Sequence, residues 1–355
     1  MDEKIRARTL RAIEEGVFPG CVIGLIQMPR PPVAFGGGGN KQIVIPVGTI
    51  DGSVPVQENT IYDVASITKP IPTASLALMF VAEGKLSLRD LVKKHLPELH
   101  NDHGATLEDL LRYRVSGPPM SRLRFKTFEE IRTHVFERGF NGPPSLDTIA
   151  LTNLPAFLLG LVVERVGGAK LPELAHRYFF EPLSMTDTSF FPLNPDTSNM
   201  SGRTKLMGGD DHIAPTEIVD GEEIRGIVHD ESARVFARVR RAVGHAGLFA
   251  TVPDLLNFLQ QLLAHDGFTK PVISGAQEGL GWEVDREWMG AFAKAPASQG
   301  ANVFGKTGFT GTSILCDVER GIGLVILSNR TYPHRPVDNS AINAFRKDIA
   351  DIVLG

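Results

Sequence analysis

The chain has 355 residues, 42% of them apolar and 22% charged, with a formal net charge of −4. This composition excludes a disordered or fibrous chain and is enough for one large core or two smaller ones. The small, dispersed charge gives no basic field for nucleic acid or an anionic membrane, and two cysteines, Cys21 and Cys316, imply no disulfide framework.

The N-terminus, Met1-Asp2-Glu3-Lys4-Ile5-Arg6, is charged and lacks the apolar centre of a signal peptide, so the chain as given reads as cytoplasmic. A protein trimmed of a leader would read the same way. Apolar runs such as residues 157–163 fall short of a membrane span. Residues 3–15 have helical spacing, with Ile5, Leu10 and Ile13 on one side. Residues 21–26 and 42–47 read as strands around a turn at 36–40. Cys21 and Cys316 fall in apolar runs and read as buried packing residues. From about residue 66 to 285 the pattern is mostly helical. Residues 76–83 form a helix stopped by Gly84. Thr106-Leu107-Glu108-Asp109 is a capping box. Residues 155–166 form a helix ended by Gly167-Gly168, and Thr251 caps another that runs to His265. The polar stretch 194–225 reads as a surface excursion. Residues 313–317 and 323–328 are two apolar strands joined by a turn at 318–321, and 339–353 is a final helix. Strands at both ends of the chain predict a sheet assembled from both.

Ser66-Ile67-Thr68-Lys69 carries the most chemistry. A serine hydroxyl is a poor nucleophile until something takes its proton. A lysine three residues on returns to the same helical face, and a desolvated amine there can serve as base. By composition S-x-x-K should occur on the order of once by chance in such a chain. Lys306-Thr307-Gly308, far downstream at the start of an expected strand, is rarer, and the two motifs in this order make a strong signal. Pro70 and Pro72 come directly after the motif lysine. Either the helix is irregular there or its regular part starts later. No G-x-S-x-G elbow is present, which argues against an α/β-hydrolase.

These segments resemble the penicillin-recognising serine hydrolases: class C β-lactamases, D-alanyl-D-alanine peptidases and their esterase relatives. Tyr62-Asp63-Val64-Ala65-Ser66-Ile67-Thr68-Lys69 is similar to the nucleophile segment. Glu83-Gly84-Lys85-Leu86-Ser87-Leu88-Arg89-Asp90 resembles the family's next segment, and residues 159–168 resemble the helix after the second motif. Gly244-His245-Ala246-Gly247-Leu248-Phe249-Ala250-Thr251 and Phe304-Gly305-Lys306-Thr307-Gly308-Phe309-Thr310-Gly311-Thr312 complete the set. The resemblance implies an α+β, β-lactamase/transpeptidase-like fold: an antiparallel sheet from both chain ends, flanked by helices, with a large helical insertion. Residues 1–65 and 286–355 would form the sheet region, and 66–285 the helical region of one catalytic unit.

The resemblance further implies that Ser66 is acylated with help from Lys69. The amides of Ser66 and Phe309 would hold the oxyanion. Asn153, Lys306, Thr307 and Gly308 would bind and orient substrate, Lys306 and Thr307 suiting a carboxylate. Phe309 is bulkier than the residue usual at its place. The second motif departs from the family: Leu151-Thr152-Asn153 stands where Tyr-x-Asn is expected, and Leu151 takes no proton. Tyr113, in a segment that borders the site in relatives, is the candidate substitute. Of the other tyrosines, Tyr62 and Tyr178 read as structural and Tyr332 as near a rim. His245 reads as a hydrogen-bonding residue of a glycine-flanked loop. His229-Asp230-Glu231 does not read as a metal site, because adjacent side chains rarely converge on one ion.

The expected function is therefore a cofactor-free, metal-free serine hydrolase. It acts through an acyl-enzyme on ester, amide or β-lactam carbonyls, with weak lactam turnover because of Leu151. Its partner would be a small molecule with a carbonyl, with or without a carboxylate, and no nucleic acid or membrane; the sequence leaves the oligomeric state open. The alternative is a catalytically silent binding protein on the same scaffold.

Overall fold

The structure, a computed structural model, describes residues 1–29, 40–120, 125–147, 149–150, 152–190, 212–264, 267–294 and 302–355. Six strands form the main sheet: β1 (Gly20–Gln27), β2 (Lys41–Gly48), β3 (Glu283–Val284), β4 (Val303–Thr307), β5 (Ser313–Asp317) and β6 (Ile322–Ser328). Their order is β2-β1-β6-β5-β4-β3, with every neighbouring pair antiparallel. At the centre β1 pairs with β6, from Cys21 opposite Ser328 to Gln27 opposite Ile322, so the two ends of the chain are joined as the apolar runs predict. Both strands are buried almost throughout, which is why they read as continuous apolar runs rather than alternating ones.

Six helices frame the sheet and the site: α1 (Asp2–Glu14), α2 (Ser75–Ala82), α3 (Leu154–Gly167), α4 (Glu231–Ala237), α5 (Val252–Leu263) and α6 (Ser340–Leu354). On one face α1 and α6 close a core containing Ile5, Ile23, Leu324, Phe345 and Ile349. On the other, α5 and the helical region close a larger core with Val22, Phe80, Phe157, Phe258 and Val325. The approach of α5 explains a glycine in mid-strand: a Cβ on Gly24 would run into Val252 and Leu256. The expected caps are formed. Thr106 Oγ1 accepts from the Asp109 amide while the Asp109 carboxylate accepts from the Thr106 amide, and Thr251 caps α5.

Several expectations are corrected. Residues 65–82 are apolar and long enough by composition to span a membrane, but 83% of that stretch is buried inside the protein. As Pro70 and Pro72 predict, it is not one regular helix. Ala65–Thr68 is a tight 3₁₀ turn and Lys69–Ala74 a wide turn with Ile71 extended at φ −121°, ψ 110°, so α2 starts only at Ser75. The segment is thus both irregular at the prolines and regular only beyond them. Lys306 and Thr307 end strand β4 rather than start it. β3, at residues 283–284, belongs to the sheet although it lies inside the stretch read as helical. The excursion at 194–225 contains a hairpin of Glu217–Val219 and Glu222–Ile224; its part up to residue 211, most of the turn at 36–40, and His265 lie outside the described residues.

Candidate active site

The nucleophile turn is held from both sides. Asp63, buried beside it, accepts from the Ala65 amide at 2.8 Å and from the His229 amide at 2.7 Å. Burial pushes its carboxyl up to about 6 against the pull of these bonds. Ala65, immediately before the serine, sits in the left-handed region at φ 48°, a strained conformation for a residue with a Cβ. From the sheet side, Thr310 Oγ1 donates to the Asp63 carbonyl at 2.7 Å and Thr312 Oγ1 to the Val64 carbonyl at 3.0 Å. Gly308 fits between them. A Cβ there would lie 2.5 Å from the Val64 carbonyl oxygen and collide with Thr312, so the turn after β4 can lie against the serine only with glycine at this place.

Ser66 and Lys69 meet as their spacing predicts. Lys69 Nζ lies 2.5 Å from Ser66 Oγ, and the lysine is only 6% exposed. Burial, and then the nearby charge of Lys306, push its ammonium down from 10.5 to about 7, against the opposing pull of Asp230 and Glu283. The pair opens onto a cleft of about 340 Å³, also lined by Tyr113, Asn153, Lys306, Thr307, Gly308 and Phe309. Every described site residue expected from the sequence thus comes to one place. Leu151 lies outside the described residues. The amides of Ser66 and Phe309 donate to no acceptor among the described residues.

On the far wall, Lys306 is engaged. Its Nζ donates to Glu283 Oε1 at 2.8 Å and sits 5.3 Å from the centre of the Tyr113 ring. Tyr113 is itself in the left-handed region, φ 55°, with its carbonyl accepting from the Ala150 amide at 2.7 Å. Burial, and then Glu283, push its phenol up, so it stays protonated. Phe309 is 44% exposed. Its ring stacks on His229 at 5.7 Å and faces the guanidinium of Arg330 at 5.2 Å. Arg330 Nε also donates to the Phe309 carbonyl at 2.9 Å.

Asn153 is tied to an inner network. Its Nδ2 donates to Asp230 Oδ2 at 2.9 Å. Asp230 Oδ1 accepts from Ser232 Oγ at 2.6 Å and lies 3.3 Å from Nε2 of the fully buried His245. Burial alone would raise the Asp230 carboxyl, but His245, Ser232 and the Ala233 amide hold it well below the usual range. The run 229–231 diverges: His229 turns to Glu217, Asp230 to Asn153, and Glu231 to Arg335. No metal-binding group of acids, histidines or cysteines occurs among the described residues. Tyr62 is core, and Tyr178 packs on Phe80. Tyr332 bonds Glu223 at 3.1 Å.

Sequence reasoning missed Glu283, Trp288 and Arg346, which line the same cleft. Arg346 is 3% exposed and donates to the Gly308 and Thr312 carbonyls at 3.2 and 2.7 Å, tying α6 to the turn after β4. An arginine within an amphipathic terminal helix gives no signal of that reach. Glu283 lies in a two-residue strand too short to show a period.

The beta-lactamase family model matches residues 12–347. Proteins described as putative D-alanyl-D-alanine carboxypeptidases from Salmonella agona and Salmonella schwarzengrund are each 28% identical over 320 residues, covering 80% of this chain and 72% of theirs. Among solved structures, a class C beta lactamase from Rhodobacter sphaeroides superposes with a TM-score of 0.69 at 18% identity, covering 99% of both chains. EstCE1, a hydrolase with promiscuous acyltransferase activity, superposes with a TM-score of 0.66 at 19% identity, covering 98% of this chain and 97% of its own. These two likenesses are to the fold; the family match extends over nearly the whole sequence, and the chain belongs to the beta-lactamase family.

Proposed function

We propose that the chain is a serine hydrolase that works through an acyl-enzyme on ester, amide or lactam carbonyls. The observation that carries this is the contact of Lys69 Nζ with Ser66 Oγ at 2.5 Å, made by a lysine whose ammonium is pushed down to about 7. A neutral Lys69 takes the Ser66 proton as Oγ attacks the carbonyl carbon. The oxyanion forms against the amides of Ser66 and Phe309. The Lys69 ammonium then gives its proton to the leaving group, and the acyl group stays on Ser66. Lys69, neutral again, takes a proton from the incoming water as its oxygen attacks the ester carbonyl, and returns it to Ser66 Oγ as the carbonyl–Oγ bond breaks. Asn153, steadied by Asp230, and Thr307 orient the substrate. This route needs no tyrosine at position 151. Tyr113, held protonated and turned to Lys306, acts as a neutral wall or hydroxyl donor rather than as a base.

The test is intact-protein mass after exposure to a fluorophosphonate and, separately, to a β-lactam, with Ser66→Ala as control. The expected result is one adduct on the parent protein and none on the variant. No adduct with either reagent would move the reading to a catalytically silent binding protein.

A further inference from the structure

The lysine that the family resemblance offers to a substrate carboxylate already has one. Lys306, on β4, and Glu283, on the neighbouring strand β3, form an ion pair at 2.8 Å, with side chains only 11% and 18% exposed. The register fixes the meeting: Glu283 lies opposite Gly305, the residue before Lys306. Glu283 does not swing freely, because its second oxygen accepts from the Trp288 indole at 2.9 Å. The Tyr113 ring lies against the same ammonium. A substrate carboxylate reaching Lys306 would meet a fixed like charge a few ångströms away, in a partly desolvated place where such repulsion is weakly screened.

The other cations of the cleft divide into engaged and free. Arg112 is held by Glu108 at 2.7 Å and by the Glu278 carbonyl at 2.5 Å. Arg346 is spent on two carbonyls and on Asn343 Oδ1. The guanidinium of Arg286, half-buried, makes no hydrogen bond or ion pair among the described residues, although its charge acts on Glu283.

We propose that Glu283 is a specificity residue: by occupying Lys306 it fits the cleft to acyl substrates uncharged beside the scissile bond, neutral esters and amides, and sets it against substrates carrying a carboxylate there. This rests on the acyl-enzyme reading and names its substrate class.

Two arms separate the inference from that reading. In the first, calorimetry measures N-acetyl-D-alanyl-D-alanine and its C-terminal amide binding to Ser66→Ala, where no turnover occurs and the state of Lys69 does not enter the rate. Ser66→Ala is expected to prefer the amide. Adding Glu283→Gln should tighten the acid by tenfold or more and leave the amide within about twofold. Should that variant fail to fold, Trp288→Phe, which removes only the second anchor of Glu283, should give a smaller shift in the same direction. Preference of Ser66→Ala for the acid, an unchanged ratio in Glu283→Gln, or no binding of either ligand overturns the proposal. So does an acid preference abolished by Arg286→Ala, which would place anion recognition at the rim. In the second arm, p-nitrophenyl butyrate and nitrocefin are compared by kcat/KM on the parent protein. Failure of both turnover and fluorophosphonate labelling, with the binding preference intact, would remove the catalytic reading alone.

Discussion

A lysine works as a base only where its ammonium is unwelcome. With an ordinary pKa, about one Lys69 in three thousand would be neutral at pH 7; pushed down to about 7, half are. The consequence is a pH profile. The rate of fluorophosphonate labelling of Ser66 should rise tenfold per unit below about pH 7 and flatten above it, and Lys69→Ala should lower it by ~10²–10⁴-fold. A profile without a limb near 7 would take the base role away from Lys69. Tyr113 offers the contrasting case. Its phenol is pushed up by burial and by Glu283, and its ring is turned to Lys306. Tyr113→Phe should therefore cost less than tenfold in acylation rate; a loss comparable to that of Lys69→Ala would restore it as the proton carrier.

At the scale of elements, the site is a seam between the nucleophile turn and the turn after β4. Thr310, Thr312 and Gly308 bind that seam. Gly308→Ala should force the seam open, costing ~1–3 kcal/mol of stability by overpacking and lowering acylation at least tenfold, measured by thermal melting and labelling rate on the same protein. Melting without loss of labelling would show that the turn does not place the Phe309 amide. The motifs that form this seam were legible because each is contiguous: Ser66 with Lys69, and Lys306 with Gly308, are read in a few residues. The sheet was legible because β1 and β6 are buried on both faces. What escaped depends on pairing across the chain. Glu283 meets Lys306 through the register of a two-residue strand that no period announces. Asp230 reads as part of a charged run, while the fold makes it the anchor of Asn153 and neighbour of buried His245. The break in the 65–82 segment was legible from Pro70 and Pro72, but not its form: Pro72 and the extended Ile71 leave Ser66 and Lys69 in two successive turns, one tight and one wide.

For the whole molecule the buried lysine is a stability cost. A folded-state value of about 7 against 10.5 for a free lysine corresponds to about 5 kcal/mol, at ~1.4 kcal/mol per unit. The direction comes from proton counting. Between pH 7 and 10.5 the unfolded chain binds the Lys69 proton more than the folded one, so this group makes the protein more stable as pH rises through that window, and the full cost is present below pH 7. Lys69→Met keeps the volume and removes the charge. It should abolish acylation and raise the melting temperature, most at pH 6 and progressively less towards pH 10. The difference between the two proteins matters more than either curve, because Asp63 and His229 titrate in both. Equal melting temperatures at pH 6 would mean that the cleft solvates the Lys69 ammonium well. Its proton would then be too tightly held for the serine to be activated in the proposed way.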